Sequence, residues 1–163
     1  MAATGAACSQ GLTVALVEQP YRVAGRRSPA PAAHLDAAWI AVVARLREKE
    51  LRGLPLIVGG RSLGGRVACR TAEAVGAIAV LCLAFPLQPR RRASGTPPPS
   101  RLTELEQVLV PTLVVQGERD PFGIPPPSAT RTVALVPGDH TLRADLGAVA
   151  EAVRAWLPGR VRA

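Results

Sequence analysis

Apolar residues in this chain gather into five runs that do not alternate with polar ones: Gly11–Glu18 (GLTVALVE), Leu54–Gly59, Ala77–Phe85 (AIAVLCLAF), Thr112–Gln116 and Arg131–Val136. A strand that is apolar at successive positions is buried on both faces, as a parallel sheet covered by helices demands. The stretches between the runs carry a different period. From Ala32 to Arg52, Leu35, Trp39, Val42, Val43, Leu46 and Leu51 recur at steps of three and four, with charged residues between them and Gly53 as a stop. That spacing predicts an amphipathic helix. Further helices are predicted over Leu63–Val75, over a short stretch Arg101–Val108, and over Leu146–Leu157 at the end. Strand and helix alternate, so the expected fold is α/β: an open, doubly wound, mostly parallel sheet of about five strands with flanking helices. No internal repeat or boundary divides residues 1–163, and one domain is expected.

Composition narrows the picture. Hydrophobic residues make up 48% of the 163 but aromatics only 3%, so the core must be packed from small aliphatic side chains. No apolar run approaches the roughly 18 to 20 residues that span a bilayer. The start, MAATGAACSQ, lacks the basic and continuously apolar regions of a signal peptide. A cytoplasmic protein with no membrane partner is expected. The net charge of +8 invites a nucleic-acid reading, but nearly all of it is scattered arginine, with Lys49 the sole lysine. The one run, Arg90–Arg92, lies in a proline-rich excursion (Pro86–Ser100) with no interleaved aromatic to stack a base. No nucleic-acid partner is expected. Cys8, Cys69 and Cys82 are odd in number and show no metal-ligand spacing; they are expected to be buried thiols, and no metal or organic cofactor is implied.

Candidate chemistry begins at Gly60-Arg61-Ser62-Leu63-Gly64. It lies just past the second apolar run and at the entry to a predicted helix. A serine there can sit on a sharp strand-to-helix turn, with glycines at 60 and 64 for close backbone contacts and the Leu63 N–H facing a developing oxyanion. The five-residue pattern alone is weak, and a glycine-rich helix entry without chemistry stands as the competing explanation. A serine hydroxyl also needs a base, and the base an acid to hold its tautomer. Of the two histidines, His34 stands at a helix entry and reads as solvated; His140 follows Val136-Pro137-Gly138-Asp139, in the loop leaving the last strand. Asp120 follows the strand Thr112–Gln116 and a glycine turn. Asp139 is a rival acid, but neighbouring side chains diverge, and it is expected to cap its own turn. Glu118 and Arg119 read as solvated. The order Ser62, Asp120, His140 is the one expected of an α/β-hydrolase. Tyr21 and Arg22, beyond the first run, either line the pocket or anchor their loop; Arg61 is a third candidate for the pocket wall.

Taken together, Glu18-Gln19-Pro20-Tyr21-Arg22 with Gly25-Arg26-Arg27, the stretch Gly59–Arg66, Phe85-Pro86-Leu87-Gln88-Pro89, the stretch Pro111–Gly123 and Gly138-Asp139-His140 resemble a known group. This is the compact α/β-hydrolase family related to dienelactone hydrolases. Its hydrolase-like domain is shared by small bacterial proteins and by a regulatory subunit of a eukaryotic histone-acetyltransferase complex. The resemblance runs from about Gly11 to the C-terminus and implies Ser62 as nucleophile, Asp120 as acid and His140 as base. It also implies further strands before Gly11, one of them ending in a His-Gly-Gly-like loop that supplies a second oxyanion donor. MAATGAACSQ supplies no such loop and resembles instead the tail of the helix that follows it. The expected fold therefore lacks its N-terminal strands, with open sheet edges through which the chain is expected to form a homodimer.

The leading expectation is a serine hydrolase acting on a small ester, thioester or lactone, with a small-molecule acyl substrate. The alternative is a catalytically weak or inactive hydrolase-fold module with an interaction or regulatory role.

Overall fold

The structure, a computed structural model, describes residues 2–89 and 98–161. The Arg90–Arg92 run lies outside the described residues. Along the chain run α1 (Ala2–Ser9), α2 (Pro20–Val23), α3 (Ala32–Glu48), β1 (Ile57–Arg61), α4 (Leu63–Thr71), β2 (Ala79–Leu83), α5 (Leu102–Glu106), β3 (Thr112–Gly117), β4 (Arg131–Val136), α6 (Leu146–Trp156) and α7 (Pro158–Val161). Among the described residues the strands form one four-stranded sheet in the order β1-β2-β3-β4. Every pair is parallel, and Gly60, Cys82, Val114 and Val133 stand in one row across it.

Successive strand residues feed two cores, one on each face. Val58, Val80, Cys82 and Val114 pack with Val43 of α3, Ala68 and Cys69 of α4 and Leu105 of α5. Ala79, Leu113 and Val115 pack on the other face with Ala6 of α1 and Val149, Val153 and Trp156 of α6. The run at β3 has the cause inferred from sequence, since β3 is buried at all six positions, whereas β4 at the sheet edge is buried only at Arg131 and Val136 and leaves Leu135 51% exposed.

Helix α4, whose first turn carries the Ser62 elbow, is tied laterally by charge. Arg66 grips Glu104 of α5 through two bonds of 2.8 and 2.6 Å, and Arg70 grips Asp36 of α3 through bonds of 2.8 and 2.6 Å. A further 3.2 Å bond joins Arg70 to Glu104. Burial resists ionisation of Glu104, but the hydrogen bonds and charges of Arg66 and Arg70 outweigh it and hold its carboxyl below the usual range.

Several expectations are corrected here. Gly11–Glu18 is not a strand. Its backbone is irregular and Leu16 is 72% exposed. The reason lies at β1. The Ser62 N–H donates to the Leu83 C=O at 2.9 Å, and in a parallel ladder alternate residues bond to the same side, so Val58 and Gly60 face β2 while Ile57, Gly59 and Arg61 turn their backbone groups away. Leu16–Gln19 line the cleft on that far side, and among the described residues they share no ladder with β1. β-branched composition makes a strand only where a neighbouring strand accepts its hydrogen bonds. Among the described residues the count is therefore four strands instead of about five. Two helices end early: α3 stops at Glu48 short of Arg52, and α4 at Thr71 short of Val75. Cys8 is exposed, not buried, whereas Cys69 and Cys82 are buried, with sulfurs 3.4 Å apart. Residues 2–9 do form the helix that the sequence suggested. No helix among the described residues is long and apolar enough to cross a membrane.

Candidate active site

The elbow is sharper than the sequence implied. β1 runs on through Gly60 and Arg61, so Ser62 follows the strand directly and turns at φ 52°, ψ −112° into the first residue of α4. A non-glycine residue at positive φ is strained and persists only where its surroundings fix it. Here Ser62 N–H is held by Leu83 C=O and its own C=O accepts from Arg66 N–H at 3.2 Å. Its hydroxyl makes no helix-capping bond, which leaves Oγ for another partner. Strand and helix approach so closely that a Cβ on Gly60 would meet the Gly64 carbonyl carbon at 2.4 Å. Of the two motif glycines the demand falls on Gly60, since a Cβ on Gly64 would meet open space, while Gly65 adds a second close approach, its Cβ position 3.0 Å from the Gly60 carbonyl oxygen. Leu63 begins α4, so its N–H has no acceptor within the helix and points out at the turn.

His140 Nε2 lies 2.9 Å from Ser62 Oγ, and His140 Nδ1 lies 2.8 Å from Asp120 Oδ2. The three side chains come from the ends of three parallel strands, β1, β3 and β4, which the sheet brings to one edge. Two backbone contacts set the loops: Arg119 N–H donates to Gly138 C=O at 2.9 Å, and a Cβ on Gly117 would meet the Asp139 carbonyl oxygen at 2.4 Å. The Asp120 side chain is wholly buried while that of His140 is 18% exposed. The acid is thus shielded from water, and the imidazole opens toward the cleft. Its Oδ1 accepts from Phe122 N–H at 2.9 Å, and the Phe122 ring stands edge-on to the imidazole, centroids 4.5 Å apart.

The other sequence candidates fall as follows. Asp139 does not reach His140; its Oδ1 accepts from Thr141 N–H and Oγ1 at 2.8 and 2.7 Å, so it caps its own turn. Those bonds hold its carboxyl below the usual range. His34 is exposed on α3, and Glu118 and Arg119 are exposed on their loop. Tyr21, Arg22 and Arg61 all line the cleft beside Ser62, with Leu16–Gln19, Trp39 and Gly59–Gly64. The cleft measures about 840 Å3, within the roughly 300 to 1,000 Å3 of ordinary ligand sites. Arg61 also donates to the His140 carbonyl at 3.0 Å, which ties the elbow to the histidine loop. The Arg22 guanidinium stacks over Tyr21, 5.8 Å from its ring centre. Among the described residues no cluster of His, Cys, Asp and Glu could hold a metal ion.

Sequence reasoning passed over Gln116. It is fully buried in β3, and its amide joins Phe85, Asp120 and Gly123. The signal was present: a lone amide closing an apolar run is a buried polar residue that must be satisfied.

A parallel sheet wrapped by helices, with a strained serine between strand and helix and a histidine and an acid on later strand ends, is the architecture of an α/β hydrolase. The chain belongs to the Alpha/beta hydrolase domain family, whose profile matches residues 1–145. Solved structures agree on the fold. A protein of the alpha/beta hydrolase superfamily from Xanthomonas campestris pv. campestris superposes with a TM-score of 0.65 at 19% identity, over 97% of this chain and 88% of the other. An a/b serine hydrolase without a lid, also from Xanthomonas campestris, gives 0.62 at 19% identity over 85% of this chain and 62% of that one. An alpha-beta serine hydrolase homologue from Coxiella burnetii gives 0.61 at 16% identity over 80% and 62%. The matched region thus spans less than two thirds of the latter two proteins.

Proposed function

We propose that the protein is a serine hydrolase acting on a small ester, thioester or lactone. The observation that carries this reading is the unbroken hydrogen-bonded chain Ser62 Oγ to His140 Nε2 and His140 Nδ1 to Asp120 Oδ2, at 2.9 and 2.8 Å. Ser62 Oγ attacks the acyl carbonyl and gives its proton to His140 Nε2. Asp120 holds the Nδ1–H tautomer and stabilises the imidazolium that forms. The Leu63 N–H donates to the oxyanion. Collapse of the tetrahedral intermediate expels the alcohol or thiol, protonated by His140, and leaves an acyl-serine. Water, deprotonated by the same imidazole, then releases the carboxylic acid. The motif set from Glu18 to His140 supports a dienelactone-hydrolase-like member of the family, so short esters and lactones are the first substrates to try. Steady hydrolysis of p-nitrophenyl acetate, lost in both Ser62→Ala and His140→Ala, is the expected result; turnover retained in either variant removes the assignment.

A second reading, a weakly active hydrolase fold serving as an interaction module, is favoured by one observation. The cleft wall opposite the elbow is the exposed, unladdered segment around Leu16. An oxyanion that finds no second donor on that side loses transition-state stabilisation, and one missing donor is worth on the order of 10² to 10³ in turnover. On this reading Ser62 reacts with a fluorophosphonate while ester turnover stays at background.

A further inference from the structure

We infer that Gln116 is a positioning residue that locks the Asp120 carboxylate and sets its distance from the nucleophile, a role that rests on the hydrolase reading above. Among the described residues its side chain is the amide buried at 0% exposure in the sheet, directly after the aliphatic Leu113, Val114 and Val115 of β3. Nε2 donates to Asp120 Oδ2 at 2.8 Å, the same oxygen that accepts from His140 Nδ1. Nε2 also lies 2.9 Å from the Gly123 C=O and 3.0 Å from the Phe85 C=O, and Oε1 accepts from the Phe85 N–H at 2.9 Å. The network fixes which end of the amide is which: reversed, its oxygen would face three acceptors and its NH2 a lone N–H donor.

Two consequences follow from these bonds. A carboxylate turns easily about its last torsion, which is broad and two-fold. With Phe122 N–H on Oδ1 and Gln116 on Oδ2, Asp120 is held in one plane before His140 arrives. Phe85 follows Leu83 by two residues, and Leu83 C=O holds the Ser62 N–H at 2.9 Å. Gln116 therefore joins the strand end beneath the serine to the loop that carries the acid. An aliphatic residue would fill the same space and leave the buried Phe85 N–H and the part-buried Gly123 C=O short of a partner, while the Phe85 C=O would keep only Leu87 N–H and Asp120 Oδ2 only His140.

The test uses Gln116→Leu and Gln116→Glu with three readouts: the rate of fluorophosphonate labelling at Ser62, its pH profile, and the proton NMR signal of the His140 Nδ1–H. Folding is checked by cooperative melting. In folded Gln116→Leu the labelling rate is expected to drop on the order of 10- to 100-fold, the loss seen where hydrogen-bond partners that orient metal ligands are removed. The Nδ1–H signal should broaden or move. Gln116→Glu keeps the shape and the Phe85 bond, and can donate to Asp120 only while its own carboxyl is protonated. Its labelling should fall again at high pH, turning a one-sided profile into a bell. If Gln116→Leu does not fold, the Gln116→Glu profile decides. An unchanged rate and an unchanged Nδ1–H signal in folded Gln116→Leu, or a Gln116→Glu profile that overlays the wild type, overturns the proposal. Failure of the wild type itself to label at Ser62 would instead sink the hydrolase reading. The Nδ1–H signal then decides the role of Gln116 alone.

Discussion

The two flanks of Ser62 are built by different physics. On the β2–β3–β4 side each strand has its neighbour, β3 is buried throughout, and the buried polar side chains Gln116 and Asp120 find partners at every turn. On the N-terminal side, residues 12–19 run irregularly across the cleft from a bare β1 edge, with Leu16 72% exposed. The two segments have similar apolar composition. What separates them is a ladder: backbone groups satisfied by a neighbour allow side chains to be buried, and unsatisfied ones stay near water. The proton relay needs only the paired flank. The carbonyl cradle depends on both.

The contrast can be broken at several points, the largest first. Asp120→Asn should lower kcat/KM for p-nitrophenyl acetate by about 10⁴-fold, some 5 kcal/mol of barrier, because the amide favours the wrong imidazole tautomer. Steady-state kinetics on the folded variant checks it. On the paired flank, Leu113→Ala empties a fully buried site in β3 and should cost about 2 to 5 kcal/mol in denaturant unfolding. Gly60→Ala forces a methyl against the Gly64 backbone and should cost about 1 to 3 kcal/mol. It should also slow Ser62, since strand and helix must part at the elbow.

Glu104 sharpens the comparison through pH. Its carboxyl is held below the usual range by Arg66 and Arg70, so its contribution is present above about pH 4.3, the ordinary glutamate value, and fades as pH falls through the depressed one. Glu104→Gln should therefore lower Tm at pH 7, and the gap from wild type should close as pH falls below the ordinary glutamate value and through the depressed one. A gap that widens in acid would contradict the ion network. The smallest effect is expected across the cleft: Leu16→Ala, at a site 72% exposed, should change stability by no more than about 0.5 kcal/mol. The sequence would rank Leu16 and Leu113 as equals.

That last pair marks what the sequence could and could not convey. Fold class, strand periods after Leu54 and the positions of Ser62, Asp120 and His140 were legible because each rests on local signals: a uniformly apolar run, a glycine at the helix entry, a loop leaving a strand. The failure at Gly11–Glu18 was of another kind. Strand formation is a property of pairs, and a single run carries no record of whether a neighbour lies beside it. The same limit hid Gln116, whose four bonds reach Phe85, Asp120 and Gly123, residues that only the folded sheet assembles. Gly64 shows the reverse error: the motif suggests a steric demand, while the backbone leaves that position open.

The central claim is that the paired flank delivers a working relay to Ser62 whatever the state of the other. It is tested most directly by fluorophosphonate labelling followed by peptide mass spectrometry on wild type and His140→Ala. The account predicts one adduct, on Ser62, formed in the wild type and slowed to background when the imidazole is gone. An adduct on another residue, or labelling of Ser62 at the same rate without His140, would contradict it.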